Sequence, residues 1–332
     1  MRTTISDIAR LTETSPTAVS FVLNGKDYKR VSPAKRQAIL DAIEKYGYRR
    51  NMAAKGLTMK RAFRIGICVA GKLEQFKTFG AASQYGIINH AAARLHESGY
   101  GIALLQLDPA LALPETCRRL AQEDVDGLLF VNFPSATLAH VLTAMAERGV
   151  PAVSVGTPLD AAHSWVAIDR ENSFELGCTH LLGAGLKRIV MLDIDTPRLF
   201  TEAKRRGYER AMRNAGLEPL PTFSAASTNA RGAYDAACEV VARTPDVEGL
   251  LLTDNGYAAV VQLALGERRP RLLGFGDDDL AAQCDPKLSY LSLPVIAVAD
   301  AAVEHLLQWI DAPDARQPLR KMLPCDLIVQ ET

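Results

Sequence analysis

Residues 4–24 read Thr4-Ile5-Ser6-Asp7-Ile8-Ala9-Arg10-Leu11, a short gap, then Ser15-Pro16-Thr17-Ala18-Val19-Ser20-Phe21-Val22-Leu23-Asn24. Thr4 stands where it can cap a first helix, and Asp7 favours that helix's positive end. Ile5, Ile8, Ala9 and Leu11 supply its apolar stripe. Ser15-Pro16 reads as an N-cap followed by a first-turn proline, so a second helix opens there. Its buried face is Ala18, Val19, Val22 and Leu23, and Asn24-Gly25 stops it. The same device recurs at Ser32-Pro33, opening a third helix with Ile39, Ile43 and Tyr46 on the inner stripe and Gly47 at its end. Two short helices joined by a tight turn, then a packing helix, describe a helix-turn-helix.

The charge distribution agrees with that reading. Residues 1–61 hold 13 Lys/Arg against 5 Asp/Glu, a net +8, while the rest holds 25 against 33, a net −8. A small basic module on an acidic body points to a polyanion partner for the module alone, with a solvated charged face as the alternative. The chain has 332 residues, 48% hydrophobic and 23% charged, a globular composition with room for two or three domains. No apolar run reaches the roughly 18 residues of a membrane span, and the start has no apolar signal-peptide segment. Cysteines 68, 117, 178, 238, 284 and 325 stand singly, which fits a reducing cytosol and no membrane partner.

From residue 64 apolar runs alternate with amphipathic segments. Strands are expected over 64–70, 101–107, 127–133, 151–155, 188–193, 249–253, 271–275 and 323–329, and helices over 82–98, 135–148, 171–184, 200–215, 229–243 and 295–310. Such alternation indicates parallel sheets covered by helices on both faces. About 270 residues is large for one such sheet, so two lobes are expected, with ligands where strand carboxyl ends face the cleft between them. No GxxxxGK[ST], HExxH or GxSxG string occurs, and the six histidines have no metal-ligand spacing with the cysteines. The chain therefore reads as no enzyme, with no catalytic residues, cofactor or metal. Cys68 and Cys178 lie in apolar runs and read as core.

The string over 4–24, continued through Val31-Ser32 and Tyr48, closely resembles the headpiece of the LacI/GalR family of bacterial transcription regulators. The resemblance runs on through Val166-Ala167-Ile168-Asp169, His180-Leu181-Leu182, Gly185-Leu186-Lys187-Arg188-Ile189, Arg206-Gly207-Tyr208, Leu273-Gly274-Phe275, Pro294 and Leu323-Pro324. It implies an α/β protein with an N-terminal all-α helix-turn-helix headpiece (1–49), a hinge helix or linker (50–61), and an effector-binding and dimerisation domain (62–332). That body is expected to be periplasmic-binding-protein-like (type I) and doubly wound. Its N-lobe is put at about 62–160 and 293–322 and its C-lobe at about 161–292 and 323–332, with crossings near 160, 292 and 323.

By position, the resemblance gives Pro16, Thr17 and Phe21 to base edges, Ser15 and Ser20 to phosphates, and further DNA contacts to Thr4 and Asn24. Pro16 has no amide hydrogen and Phe21 makes only apolar contact, so part of the specificity is expected from DNA shape. Phe21 is expected at the surface, with a core aromatic as the alternative. In the hinge, Asn51, Ala54, Lys55 and Leu57 are implied DNA contacts, Leu57 being the wedge into a minor-groove base step. Arg50 replaces the usual proline before Asn51, and Gly56 weakens the helix by roughly 1 kcal/mol. The loop Gly25–Arg30 is longer than in many members.

The implied effector set is Phe79, Asp169, Lys204, Ser227, Thr253 and Asp277. Lys204 stands where many relatives carry arginine, Thr253 where asparagine is usual, Ser227 where an aromatic is usual, and Asp277 one residue late. Lysine is a point charge where arginine forms a planar fork, so a neutral sugar held by bidentate groups in the usual pose is disfavoured, and a phosphorylated or carboxylated molecule is a partner for Lys204. A plain surface position for Lys204 and a solvated acidic loop at Asp277–Asp279 are the alternatives. The resemblance implies a cytoplasmic, homodimeric regulator, foremost a repressor, binding a pseudo-palindromic double-stranded operator and a sugar, sugar phosphate or related metabolite. An activator, an effector-independent regulator, a solute-binding protein and a sugar-metabolising enzyme are the rival readings.

Overall fold

The computed structural model describes all residues except 1–2, 25–30, 49–58, 60, 71–81, 109–110, 134–136, 195–197, 228, 269, 277 and 315–316, and the side chains of 24, 82–83 and 198–199. The chain forms two compact units, Met1–Ala62 and Phe63–Thr332.

In the first unit, α1 (Ile5–Leu11), α2 (Pro16–Asn24) and α3 (Pro33–Lys45) close on a small core. Ile8, Ala9, Val19, Ile39 and Ala42 are buried there, with Ile5, Val22, Leu23, Val31, Ile43 and Tyr48 packed around them. α1 starts with a full capping box: the Asp7 amide donates to Thr4 Oγ1 (3.2 Å) and the Thr4 amide to Asp7 Oδ2 (2.9 Å). The Thr4 hydroxyl beside it holds the Asp7 carboxyl below its ordinary pKa. Ser15 and Ser32 cap the next two helices, accepting from the amides of Ala18 (3.1 Å) and Lys35 (3.4 Å).

Two stripe residues are corrected. Leu11 and Tyr46 are each 43% exposed. Leu11 lies two residues past Ala9, about 200° around the helix, which turns it from the core. Tyr46 lies beyond the last turn of α3, so Ala42 fills the inner position. Phe21, expected at the surface, is half-buried.

The second unit holds two six-stranded sheets. Sheet A has the order β11-β5-β4-β3-β1-β2, from β1 (Arg64–Ala70), β2 (Gly101–Leu107), β3 (Gly127–Val131), β4 (Ala152–Val155), β5 (Trp165–Ile168) and β11 (Arg320–Leu323). Sheet B has the order β12-β10-β9-β8-β6-β7, from β6 (Ile189–Asp193), β7 (Phe223–Ser224), β8 (Gly249–Leu252), β9 (Arg271–Gly276), β10 (Ser289–Ser292) and β12 (Asp326–Ile328). Every pair is parallel except β10–β12. The central strands are buried end to end, as helices on both faces require.

The covering helices are α4 (Ala82–Glu97), α5 (Leu113–Leu120), α6 (Leu138–Glu147), α7 (Arg170–Gly183), α8 (Arg198–Asn214), α9 (Ala230–Arg243), α10 (Ala258–Leu265), the single turn α11 (Asp278–Ala281) and α12 (Val295–Asp311). The sequence pattern missed α5 and α10, both of eight residues, and strands β5, β7 and β10, each of four residues or fewer. Short elements carry too few periods to stand out. Cys68 and Cys178 are buried in the core. No helix among the described residues is long and apolar enough to cross a membrane.

The chain moves between sheets three times, and two expectations are corrected. The first crossing is expected near residue 160, but β5 pairs with β4 and β11 in sheet A, so the crossing falls at Asp169. The single strand expected over 323–329 is two strands in different sheets, β11 and β12. Pro324 between them has no amide hydrogen for a ladder. The remaining crossing lies between β10 in sheet B and α12, which packs on α4 and on strands of sheet A.

α7 and α8 form the closest helix pair. A Cβ on Gly207 would stand 2.0 Å from the Glu171 carbonyl oxygen, so only glycine permits this approach. Over the contact, Arg206 and Arg210 donate to Glu171, each at 2.8 Å. Gly207→Ala is expected to lower the unfolding free energy by about 1–3 kcal/mol, as overpacking does. Urea denaturation checks this, and an unchanged midpoint would mean the helices separate freely.

Candidate functional site

Two groups of residues carry chemistry, one in each unit. In the first unit, α1 ends at Leu11 and α2 begins at Pro16, with the turn Thr12–Ser15 between them. The Thr12 hydroxyl donates to the Ile8 carbonyl (2.8 Å), Glu13 adopts φ +49°, and the Thr14 amide returns to the Ala9 carbonyl (2.9 Å). These bonds fix the angle at which α2 leaves. Val19 is its buried anchor, and Ser15, Pro16 and Thr17 are exposed at its amino end. Ser20 and Phe21 are half-buried, one turn further on.

That exposed end is a helix amino terminus at the positive end of the helix dipole, although Pro16 has no amide hydrogen and the Ala18 amide is already taken by the Ser15 hydroxyl. It suits a phosphate, and the side chains of Ser15 and Thr17 can reach beyond it. Thr4 is exposed with its hydroxyl in the capping box. The backbone of Asn24 closes α2. Asn51, Ala54, Lys55 and Leu57 lie outside the described residues.

In the second unit, the carboxyl ends of β6, β8 and β9 bring together Asp193, Thr253 and Gly276, with Lys204 reaching in from α8 and Arg170 from the start of α7. Lys204 is only 2% exposed, which removes the surface-helix reading. Its ammonium donates to the Thr253 carbonyl at 3.0 Å and stands 4.6 Å from the Phe275 ring centre and 5.7 Å from that of Phe174. Burial, with Arg170 adding repulsion, pushes its pKa down to about 8, against the pull of Asp193 and Asp254.

Arg170 is 8% exposed, donates to the Gly156 carbonyl at 3.1 Å and stacks on Phe200 at 3.9 Å. Burial lowers its pKa to about 10. Gly156 adopts φ +90°, and a Cβ there would meet Asn132 Oδ1, so only glycine presents this carbonyl to Arg170. The acids are buried as well. Asp193 accepts from the Thr201 hydroxyl (3.0 Å) and Asp254 from the Gly256 amide (2.8 Å). Burial raises the Asp254 pKa despite that bond and Lys204.

Of the expected effector residues, Lys204 and Thr253 meet directly. The Thr253 hydroxyl accepts from the Ile194 amide (3.0 Å), so its side chain ties β6 to β8. Asp169 caps α7, accepting from the amide (3.1 Å) and side chain (2.6 Å) of Asn172. Ser227 backs against Gly232, where a Cβ would stand 2.3 Å from its carbonyl oxygen. Phe79 and Asp277 lie outside the described residues.

Sequence reasoning missed Arg170, Asp193, Asp254 and the aromatics Phe174 and Phe200. One signal was available. Arg170 opens a helix, where a cation opposes the helix dipole, so such a residue needs another reason to be there. No cluster of three or more metal-ligating side chains occurs among the described residues.

Lys204 makes stability depend on pH. Its folded pKa lies below the unfolded value, so the unfolded chain binds more protons between about 8 and the ordinary lysine value near 10.4. The burial penalty is complete below pH 8 and fades as pH rises through that window. The stability of the natural chain relative to Lys204→Met is therefore expected to rise from pH 8 to 10. Parallel urea titrations at pH 7.5, 8.5 and 9.5 check it, and a flat difference would contradict the depressed pKa.

Comparison with known proteins adds sequence-level likeness. A family model described as "Bacterial regulatory proteins, lacI family" matches residues 4–51, and one described as "Periplasmic binding protein-like domain" matches residues 178–332. The HTH-type transcriptional regulator CelR of Thermobifida fusca is 27% identical over 100% of this chain and 98% of its own length. The HTH-type transcriptional repressor PurR of Aliivibrio salmonicida (strain LFI1238) is 25% identical over 97% of this chain and 96% of its own. A solved structure of the lac repressor dimer bound to operator and the anti-inducer ONPF superposes with a TM-score of 0.79 at 17% identity, over 99% of this chain and 98% of that one. This last likeness is one of fold.

Proposed function

The chain belongs to the LacI family of bacterial regulatory proteins and is a DNA-binding transcription regulator, and on that premise we propose that it is a cytoplasmic, homodimeric repressor of a pseudo-palindromic operator. The observation that carries this is the exposed amino end of α2, presented by a capped, tightly bonded turn on a basic module. In this reading residues 1–49 are the headpiece, with Pro16, Thr17 and the outer edge of Phe21 facing base edges and Ser15 and Ser20 facing phosphates. Residues 50–61 are the hinge, with Leu57 as the minor-groove wedge.

A second copy is supported by the edge of sheet A. β2 is an edge strand, and its Ile102 and Leu104, in register with Ile65 and Ile67, are 42% and 59% exposed. Tyr85 on α4 and Ile296 on α12 are further exposed apolar side chains of the same lobe. Unpaired, such an edge invites association.

The effector acts at the carboxyl ends of the sheet B strands, against Arg170, Asp193, Lys204 and Asp254. Two buried cations there are balanced by two buried acids, and the Lys204 ammonium already holds a backbone carbonyl. A neutral, hydroxyl-rich metabolite of sugar type fits this wall better than a phosphate. Such a molecule would shift the lobes and with them the spacing of two headpieces.

The test is a binding selection on fragments of the source genome, comparing the full chain with residues 63–332. One palindromic motif recovered by the full chain alone is the expected result, and recovery of the same motif by both would remove the headpiece from recognition. On that motif, Leu57→Ala is expected to reduce operator affinity while leaving nonspecific binding nearly intact. Fluorescence anisotropy on both DNAs reads this, and equal losses would contradict the wedge. Affinity should fall steeply with salt, as phosphate contacts demand.

A further inference from the structure

The N-lobe contains a cavity of about 630 Å³ that is not the cleft described above. Its walls include Ala152 at the start of β4, Ser164 just before β5 and Pro318 just before β11. These are the amino ends of parallel strands, whereas the cleft lies at carboxyl ends. The four residues of β4 separate the two ends by about 13 Å at roughly 3.3 Å each. α6 and α12 close the sides.

The chemistry of the walls is specific. Trp309 and His305 on α12 put two rings against the space, with centres 5.9 Å apart and planes tilted by 50°. His305 shares a hydrogen bond with the Ser164 hydroxyl (2.9 Å), and burial pushes its pKa down. Opposite, His163 is held by Asp160 through Nδ1 (2.7 Å) and by the Thr143 hydroxyl through Nε2 (2.8 Å). Among the described lining residues there is no lysine or arginine, and their one carboxylate, Glu147, is exposed. An anion entering this space would lose its water without gaining a cationic partner among these described residues. The volume lies within the range of small-molecule sites.

We propose that this cavity is a second small-molecule site, separate from the interlobe cleft, that takes a neutral, planar aromatic molecule of one or two rings. The ring lies against Trp309 and His305, and its polar edge meets the His163–Thr143 pair. The site sits at the end of the lobe where the body's first strand begins.

Benzamide and benzoate form a matched probe pair, alike in shape and different in charge. The chain has two tryptophans, so in the full-length Trp165→Phe variant emission excited at 295 nm comes from Trp309 alone. Benzamide is expected to change that emission saturably, with benzoate at least tenfold weaker, and calorimetry on the natural chain should give the same ranking. Ala146→Phe fills the cavity from α6 and should abolish benzamide binding. If that variant does not fold, Thr143→Trp, at an exposed position on the same wall, is the blocking variant. Quenching that rises linearly as for free tryptophan amide, equal binding of benzoate, or binding that survives in a folded blocked variant would each overturn the proposal.

Discussion

Two of the three crossings between the sheets are laced together at a single peptide. The Asp169 amide donates to the Leu323 carbonyl at 2.8 Å, the Ser173 hydroxyl donates to the Asp169 carbonyl, and the Cys325 amide donates to the Ser173 hydroxyl at 3.2 Å. The chain thus leaves sheet A for the first and last time at one place. Because β11 and β12 come from residues near the end of the chain, neither sheet is complete until that segment has docked. Ser173 and Cys325 are buried there while Asp169 and Leu323 are half-buried, and these bonds give the crossing backbone partners where it leaves the sheet ladders.

The cleft wall grows from the same node. Arg170 follows Asp169 directly and reaches across to Gly156 at the end of β4, so the guanidinium links elements of both sheets. Lys204 answers from α8, and Gly207, three residues on, lets that helix approach α7 without a side chain between them. The buried charges are held by opposite charges, a carbonyl and aromatic faces, because none could lie in the core unpartnered. The wall is therefore preorganised: its charges are already oriented by the protein before any metabolite arrives.

The headpiece follows a simpler physics. Five buried side chains hold three helices, a small core for so short a unit, and the caps at Thr4, Ser15 and Ser32 fix where each helix begins. Local chemistry decides nearly everything there, which is why its start signals were legible residue by residue. Its errors were the ones a helical wheel makes at helix ends, at Leu11 and Tyr46, where the last turn no longer faces the core.

The sequence by itself determined the helix-turn-helix, the alternation that makes the body α/β, the core cysteines and the family. These rest on caps, periodicity and strings, all local quantities. Tertiary structure decided the rest. It moved the first crossing to Asp169, because β5 joins sheet A through partners far along the chain. It split the last strand at Pro324 between two sheets. It removed the surface alternative for Lys204 by burying it against the Thr253 carbonyl, and it assembled Arg170, Asp193 and Asp254 from three separate segments. Burial and long-range pairing depend on which segments the fold brings together, and no local pattern around Lys204 or Asp193 encodes that.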